Sequence, residues 1–299
     1  MPSLGSVCHD PGMPFTVSHT IVALPFRRTR IPAAALAVGA MAPDAVLFVP
    51  ALPAYHVTHS ALGALTVSTP VALVALLVWT FGLRWAWTAI QPDSVRGRLS
   101  PDWDDPASAW RAFRALSPGG RLRQLALVLA TVIAGVYSHI AWDSFTHASG
   151  WSVARLPFLH TEIAGDRLYD WVQNACSVGG MVVLAIAAVR WYRRTTPVPR
   201  RRNVTARAAR SIRITLLAVV GVVTVVGALP LALIGAGPTG VFGWAAVLAI
   251  RLSAVALVVL ATGLAIRSAF RGSGPRQGYS ASDPATPRPT RLRRRPYNQ

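Results

Sequence analysis

The sequence predicts an all-α, polytopic membrane protein with about five transmembrane helices and a proline-kinked, re-entrant segment near the amino terminus. Three observations carry that expectation. The 299 residues are 53% hydrophobic and only 14% charged, with a mean hydropathy of +0.42. Several stretches lack charge over about the 20 residues that a helix needs to cross a bilayer. The arginines are gathered into blocks between those stretches, as the positive-inside rule expects of cytoplasmic segments.

Taken in order, residues 1–12 are patternless and contain Pro and Gly, which predicts a disordered extension. Thr16 to Leu24 reads as a short helix ahead of Pro25, with Thr16 or Ser18 as its cap. Ile31 to Ala54 is apolar but holds Asp44 and four prolines, Pro32, Pro43, Pro50 and Pro53. Proline removes a helix donor and kinks the chain, so a straight span is not expected there. Broken backbone at membrane depth is tolerated where protein buries it or it lines a cavity, and a re-entrant piece fits that condition. Full spanning would instead carry His19 inside the cell, away from the other histidines, an arrangement that Arg27, Arg28 and Arg30 favour.

The spans follow. Ser60 to Gly82 is uncharged, with Pro70 inside it. Leu125 to Thr146 carries only His139 and Asp143, and Trp171 to Val189 is uncharged. Ile214 to Ile250 is too long for one span and breaks at Gly235-Ala-Gly-Pro-Thr-Gly240, giving two helices, 211–235 and 241–267. The chain divides into a His/Asp-containing membrane-embedded domain at 13–173, carboxy-terminal helices at 174–270 and a disordered basic tail at 271–299. The 83–123 loop is expected to be partly helical over Pro106 to Leu116, with Trp110 and Phe113 on one side. Its Asp102, Asp104 and Asp105 lack the glycine and distal glutamate of a calcium loop and read as solvated.

The net charge is +19, and all thirty basic residues are Arg. A GC-rich genome is the simplest cause of that bias; the distribution is more informative. Arg190 to Arg213 holds nine Arg and no acid, and the tail from Arg267 holds eight Arg and one Asp. The 83–123 loop has seven Arg against four acids, whereas the 147–173 loop has two against three. Five spans, a cytoplasmic carboxy terminus and an outward 147–173 loop satisfy these four segments, while Arg27, Arg28 and Arg30 are the block that fits the fully spanning alternative better. The expected partners are the bilayer and anionic lipids at the cytoplasmic face, not nucleic acid. Cys8 and Cys176 match no CxxC pattern and make a poor disulfide pair, and no cleavable signal peptide precedes the first span.

Six of the seven histidines fall between His19 and His160. His139, Asp143 and His147 are spaced i, i+4, i+8, one slowly drifting stripe on a helix. Ionisable groups are expensive in a membrane, so an intramembrane Asp beside a His marks a functional site by default. The charge-derived topology gathers His19, Asp44, His56, His59, His139, Asp143, His147, His160, Glu162, Asp166 and Asp170 on or near the outer side. Imidazole and carboxylate ligands without thiolate suit Zn, with Mn or Fe as alternatives, in hydrolytic chemistry. Plainer readings stand beside this one. A lone interfacial His is usually a hydrogen-bonded structural residue. His139 and Asp143 can form a simple buried hydrogen bond, and His160, Glu162, Asp166 and Asp170 read most simply as a solvated loop. His9 is a bystander, and one of His56 and His59 supports rather than binds. Arg251 interrupts the last span, where it would snorkel, face a phosphate or pair with Asp143.

Four ordered motifs carry a family resemblance. They are Met13-Pro-Phe-Thr-Val-Ser-His19, Gly39-Ala-Met-Ala-Pro-Asp44, Thr58-His-Ser-Ala-Leu-Gly63 and Ser138-His-Ile-Ala-Trp-Asp-Ser-Phe-Thr-His147. The chain resembles the bacterial membrane proteins grouped as domain of unknown function 4184. Those are similar in turn to inner-membrane proteins assigned, by inference, as metal-dependent hydrolases. The resemblance covers about Met13 to Asp170 and implies His19, Asp44, His59, His139 and Asp143 as metal ligands, with His147 as an additional one. The hydrolase relatives carry His-Arg-Gly ahead of Thr-His-Ser; Tyr55-His-Val stands here. His56 is therefore expected to support a ligand or meet substrate, as is Arg251. The resemblance begins at Met13, which suits an initiator at that position.

The expectation is a multi-pass protein of the bacterial inner membrane that hydrolyses a phosphoester or ester near the outer leaflet with a divalent metal. The alternative is a non-enzymatic transporter or scaffold that uses the His/Asp cluster as a proton or metal relay. No haem is expected, because an Asp one turn from His139 suits a hard metal better.

Overall fold

The computed structural model describes residues 16–49, 51–200, 204–233 and 238–272. Residues 1–15, 234–237 and 273–299 lie outside those described, and with them Cys8, His9 and the expectations of a disordered extension, an initiator at Met13 and a disordered basic tail.

A 3-10 helix, Thr16–Phe26, comes first. Three short helices follow: α1 (Ala33–Gly39), α2 (Ala45–Phe48) and α3 (Tyr55–Thr58). The long helix α4 (Ala61–Ile90) leads to the small helices α5 (Asp93–Arg96) and α6 (Ser108–Arg114). Then come α7 (Pro118–Asp143) and α8 (Leu168–Arg194), joined through a two-stranded hairpin, β1 (Glu162–Ile163) and β2 (Asp166–Arg167). The helices α9 (Ala206–Leu233) and α10 (Pro238–Gly272) close the described chain. Among the described residues, four helices are long and apolar enough to cross a membrane: α4, α7, α8 and Ala206–Gly227 of α9. Helix α10 adds an apolar stretch at Leu248–Leu264. The fold is all-α and that of a polytopic membrane protein.

Local chemistry sets the starts of α4 and α7. Ser60 caps α4 by accepting from the Gly63 amide at 2.9 Å, and Ser117 caps α7 by accepting from Gly120 at 3.1 Å with Pro118 in the first turn. Pro70 cannot donate within α4, and the helix widens into a π turn over Ala64–Ser68 just before it. The Thr69 hydroxyl donates to the Ala64 carbonyl there at 2.8 Å.

The 31–54 segment does not form a straight span. Helix α1 has seven residues, about 10 Å at 1.5 Å per residue, a third of a hydrocarbon core. It ends at Gly39, and the chain turns through Pro43 and Asp44 into the four-residue α2. Helix α1 lies directly on α7. A Cβ at Gly39 would collide with the Val132 carbonyl, and a Cβ at Gly135 would collide with that of Leu36, so the two backbones meet through paired glycines. Ala35, Ala42, Ala64, Ala72, Val132 and Val136 form the buried core around this contact. The 3-10 helix is seated on α8 in the same way, with Ser18 over Gly180.

The opposite end is tied by arginine. Asp104 accepts from Arg96 at 2.9 Å and from Arg200 at 2.8 Å, so it anchors two guanidinium groups instead of being freely solvated. Arg98 donates to the Tyr192 carbonyl at 2.8 Å, and Arg213 to that of Ile90 at 2.7 Å. These bonds staple the 90–104 stretch to the Arg-rich stretch 190–213, which runs from the last turn of α8 into α9.

Gly39→Leu is expected to lower the melting temperature in detergent by several degrees, because it forces α1 off α7. Gly179→Ala, where an added Cβ meets nothing within 4 Å, is expected to be neutral or to stabilise α8 by up to about 1 kcal/mol. Thermal unfolding of the two variants beside wild type checks both.

Candidate metal centre

His139 and Asp143 occupy the last two turns of α7, and both are buried. The His139 side chain is fully enclosed, and its Nδ1 lies 2.8 Å from the Ala40 carbonyl, just past the glycine contact. A carbonyl only accepts, so Nδ1 carries a proton, and the ring in its neutral form turns the Nε2 lone pair inward. His59 is oriented similarly. Its Nδ1 is 3.0 Å from the Tyr55 carbonyl and 3.1 Å from the Thr58 hydroxyl oxygen. The Thr58 hydroxyl spends its own proton on the Tyr55 carbonyl at 2.9 Å, so both neighbours accept, His59 Nδ1 carries a proton, and the neutral ring likewise turns its Nε2 lone pair inward. The two Nε2 atoms face each other at 3.2 Å. Neutral rings with their protons on Nδ1 have none to share across this gap.

Two carboxylates complete the group. Asp44 Oδ1 lies 3.4 Å from His59 Nε2 and 3.5 Å from His139 Nε2. Asp143 Oδ2 lies 3.5 Å and 3.0 Å from the same two atoms. Each residue offers one ligand atom, and no two of these atoms are more than 4.8 Å apart. Four atoms about 2.1 Å from a common centre stand about 3.4 Å apart at the corners of a tetrahedron. The five measured edges, 3.0 to 3.5 Å, match that figure. Asp44 Oδ1 and Asp143 Oδ1 are buried without a hydrogen-bond partner. Among the described residues, every ion pair to Asp44 or Asp143 comes from a histidine; none comes from Arg. Two buried carboxylates and two inward lone pairs therefore fit a divalent cation in charge, geometry and donor type.

The surrounding groups hold these ligands in place. Thr16 Oγ1 donates to the second Asp44 oxygen at 2.7 Å. The Tyr55 hydroxyl donates to Asp143 Oδ2 at 3.3 Å, and its ring stacks on His59 at 3.7 Å. His19 stands beside His139, with ring centroids 4.1 Å apart and Nε2 3.5 Å from the orphan Asp143 Oδ1. Burial pushes the His19 imidazole down to about 4, so it is uncharged at neutral pH. His147 Nδ1 is 3.8 Å from Asp143, its Nε2 faces Gln173 at 3.4 Å, and it flanks the group of four.

The structure thus gathers His19, Asp44, His59, His139, Asp143 and His147 in one cluster, four of them with ligand atoms converging. It leaves others out. His56 is exposed. Arg251 does not pair with Asp143; its guanidinium donates to the Leu47 carbonyl at 2.9 Å. His160 donates to the Val153 carbonyl at 3.0 Å, and Glu162 and Asp166 are exposed on the hairpin. Motif and charge patterning do not single out Tyr55, Thr16 or Gln173 as parts of the site. For Tyr55 a signal exists: it precedes His59 by four residues, one helical turn, whereas His56 falls on another face.

A protein-family profile matches the chain over residues 13–266, from the segment before His19 to deep in α10. The chain belongs to the family described as domain of unknown function (DUF4184). No curated protein and no solved structure matches it. All six clustered residues of this DUF4184 member lie inside the matched region.

Removing an outer partner typically costs 10- to 100-fold in metal affinity. Thr16→Val and Tyr55→Phe are expected to weaken binding of added Zn2+ or Mn2+ by about that factor. His56→Ala is expected to leave it unchanged. Thermal-shift titration of the chelator-treated protein with each metal measures all three.

Proposed function

We propose that this protein is a metal-dependent hydrolase of the bacterial inner membrane, acting on a phosphoester or ester near the outer leaflet. The observation that carries the reading is the pair of inward-facing imidazole nitrogens 3.2 Å apart, closed in by two carboxylates that no arginine among the described residues neutralises. Asp44, His59, His139 and Asp143 would hold the metal; N/O donors without thiolate favour Zn, with Mn or Fe as alternatives. A metal in such a site lowers the pKa of a bound water toward neutrality and polarises a carbonyl or phosphoryl oxygen.

The protein's own groups have separable tasks. The Ala40 and Tyr55 carbonyls fix the tautomers and aim both Nε2 atoms inward. Thr16 and Tyr55 hold the two carboxylates in register. His19 Nε2, next to Asp143 Oδ1, is placed to accept a proton from an attacking water. The outward orientation is supported by the arginine staple at the other end of the spans, which belongs in the cytoplasm by the positive-inside rule.

Purified protein is expected to hydrolyse a phosphoester or carboxylic-ester substrate, and Asp143→Ala or chelation should reduce turnover at least 100-fold, with chelation reversed by added metal. Retained metal without turnover of any substrate in a broad ester and phosphoester screen would count against the enzyme and for a metal-handling scaffold. A topology reporter fused after Trp151 is expected to read periplasmic; a cytoplasmic reading would invert the orientation.

A further inference from the structure

The segment that joins α7 to α8 begins beside Asp143 and is folded. The Val153 amide donates to the Ser144 carbonyl at 3.0 Å, Ser144 and Ser152 hydroxyls meet at 2.7 Å, and Trp171 Nε1 donates to the Ile163 carbonyl at 2.9 Å. Yet beside exposed Arg155, Glu162, Asp166 and Arg167, the segment and the helix ends that flank it expose large apolar side chains. Trp142, Phe145, Trp151, Phe158, Ile163 and Trp171 all stand exposed, Trp151 at 66% and Phe158 at 58%. An apolar patch of that kind on a rigid loop needs a covering.

The covering is indicated by position and chemistry. The segment starts where one span ends and finishes where the next begins, and the exposed flank of α8 continues the apolar surface through Val178, Met181 and Val182. Trp at the end of a span beside Arg is the composition of the lipid headgroup level. Arg155 lies over the Trp151 ring at 4.2 Å and donates to the Trp151 carbonyl at 3.3 Å. On the hairpin, successive residues face opposite ways, which sets exposed Glu162 against exposed Ile163.

We infer that the 144–171 segment is an interfacial pad that lies in the headgroup layer of the bilayer the protein spans, so that the adjoining His/Asp centre takes its substrate from that layer. The substrate class is then a membrane amphiphile whose ester or phosphoester sits at headgroup depth. This second step rests on the hydrolase reading; the placement of the pad does not.

The test places an environment-sensitive fluorophore at Trp151→Cys, Phe158→Cys and Glu162→Cys in a Cys8→Ser, Cys176→Ser background. The full-length protein is reconstituted in phosphatidylcholine/phosphatidylglycerol vesicles. Probes at 151 and 158 are expected to be quenched at least twofold more by headgroup-level spin-labelled lipid than by deep-chain spin label, and to be several-fold less accessible to iodide than the probe at 162. Equal iodide access at all three sites without lipid quenching would overturn the pad. Shielding from iodide without lipid quenching would mean that protein covers the patch, and would overturn it too. The readout needs neither metal nor turnover. Lipid contact without hydrolysis would sink the enzyme alone, and hydrolysis of soluble esters with an aqueous pad would sink the pad alone.

Discussion

Two carboxylates buried against two inward-facing imidazole nitrogens are the constraint around which the rest of the structure is organised. Asp44 is fully enclosed and Asp143 nearly so, and an uncompensated pair of buried anions would cost several kcal/mol per charge. The backbone is arranged to create this crowding, not to relieve it. The glycine contact between α1 and α7 brings the Ala40 carbonyl against His139 Nδ1 and sets Asp44 a turn farther on. One tight helix–helix approach thus supplies a ligand, the orienter of a second ligand, and the low-dielectric setting that makes a cation the fitting partner.

The same constraint explains the broken amino-terminal half. A straight helix over 31–54 would bury its hydrogen bonds well but would carry Asp44 along a single face past the site. Stopping α1 after seven residues lets Pro43 and Asp44 sit in a turn at the end of α7, with the turn's backbone covered by protein. The 3-10 helix is held on α8 by the small pair Ser18 and Gly180, and that seat brings His19 and Thr16 to the carboxylates. Four chain segments with little sequence proximity meet in one place through small residues.

Much of this is legible in the sequence, for identifiable reasons. The spans are visible because charge is excluded from them. The i, i+4 spacing by itself places His139 and Asp143 on one helical face. The prolines around Asp44 announce a break. The orienting groups are not legible, because a backbone carbonyl such as that of Ala40 leaves no mark in side-chain chemistry, and its partner is 99 residues away. Thr16 looks like a helix cap and serves a carboxylate 28 residues on. Asp104 reads as part of a solvated acidic loop because nothing local points to Arg200. Hydropathy and periodicity report burial and facing within an element; contacts between elements depend on close approach, which the small residues permit without naming their partners.

The most direct test is elemental analysis of detergent-purified protein, wild type beside His139→Ala and Asp143→Ala. The account predicts close to stoichiometric Zn, Mn or Fe in the wild type and its loss in both variants, with each variant still monodisperse. A wild-type protein that holds no metal, even after incubation with all three, would contradict the claim that the cluster is a cation site.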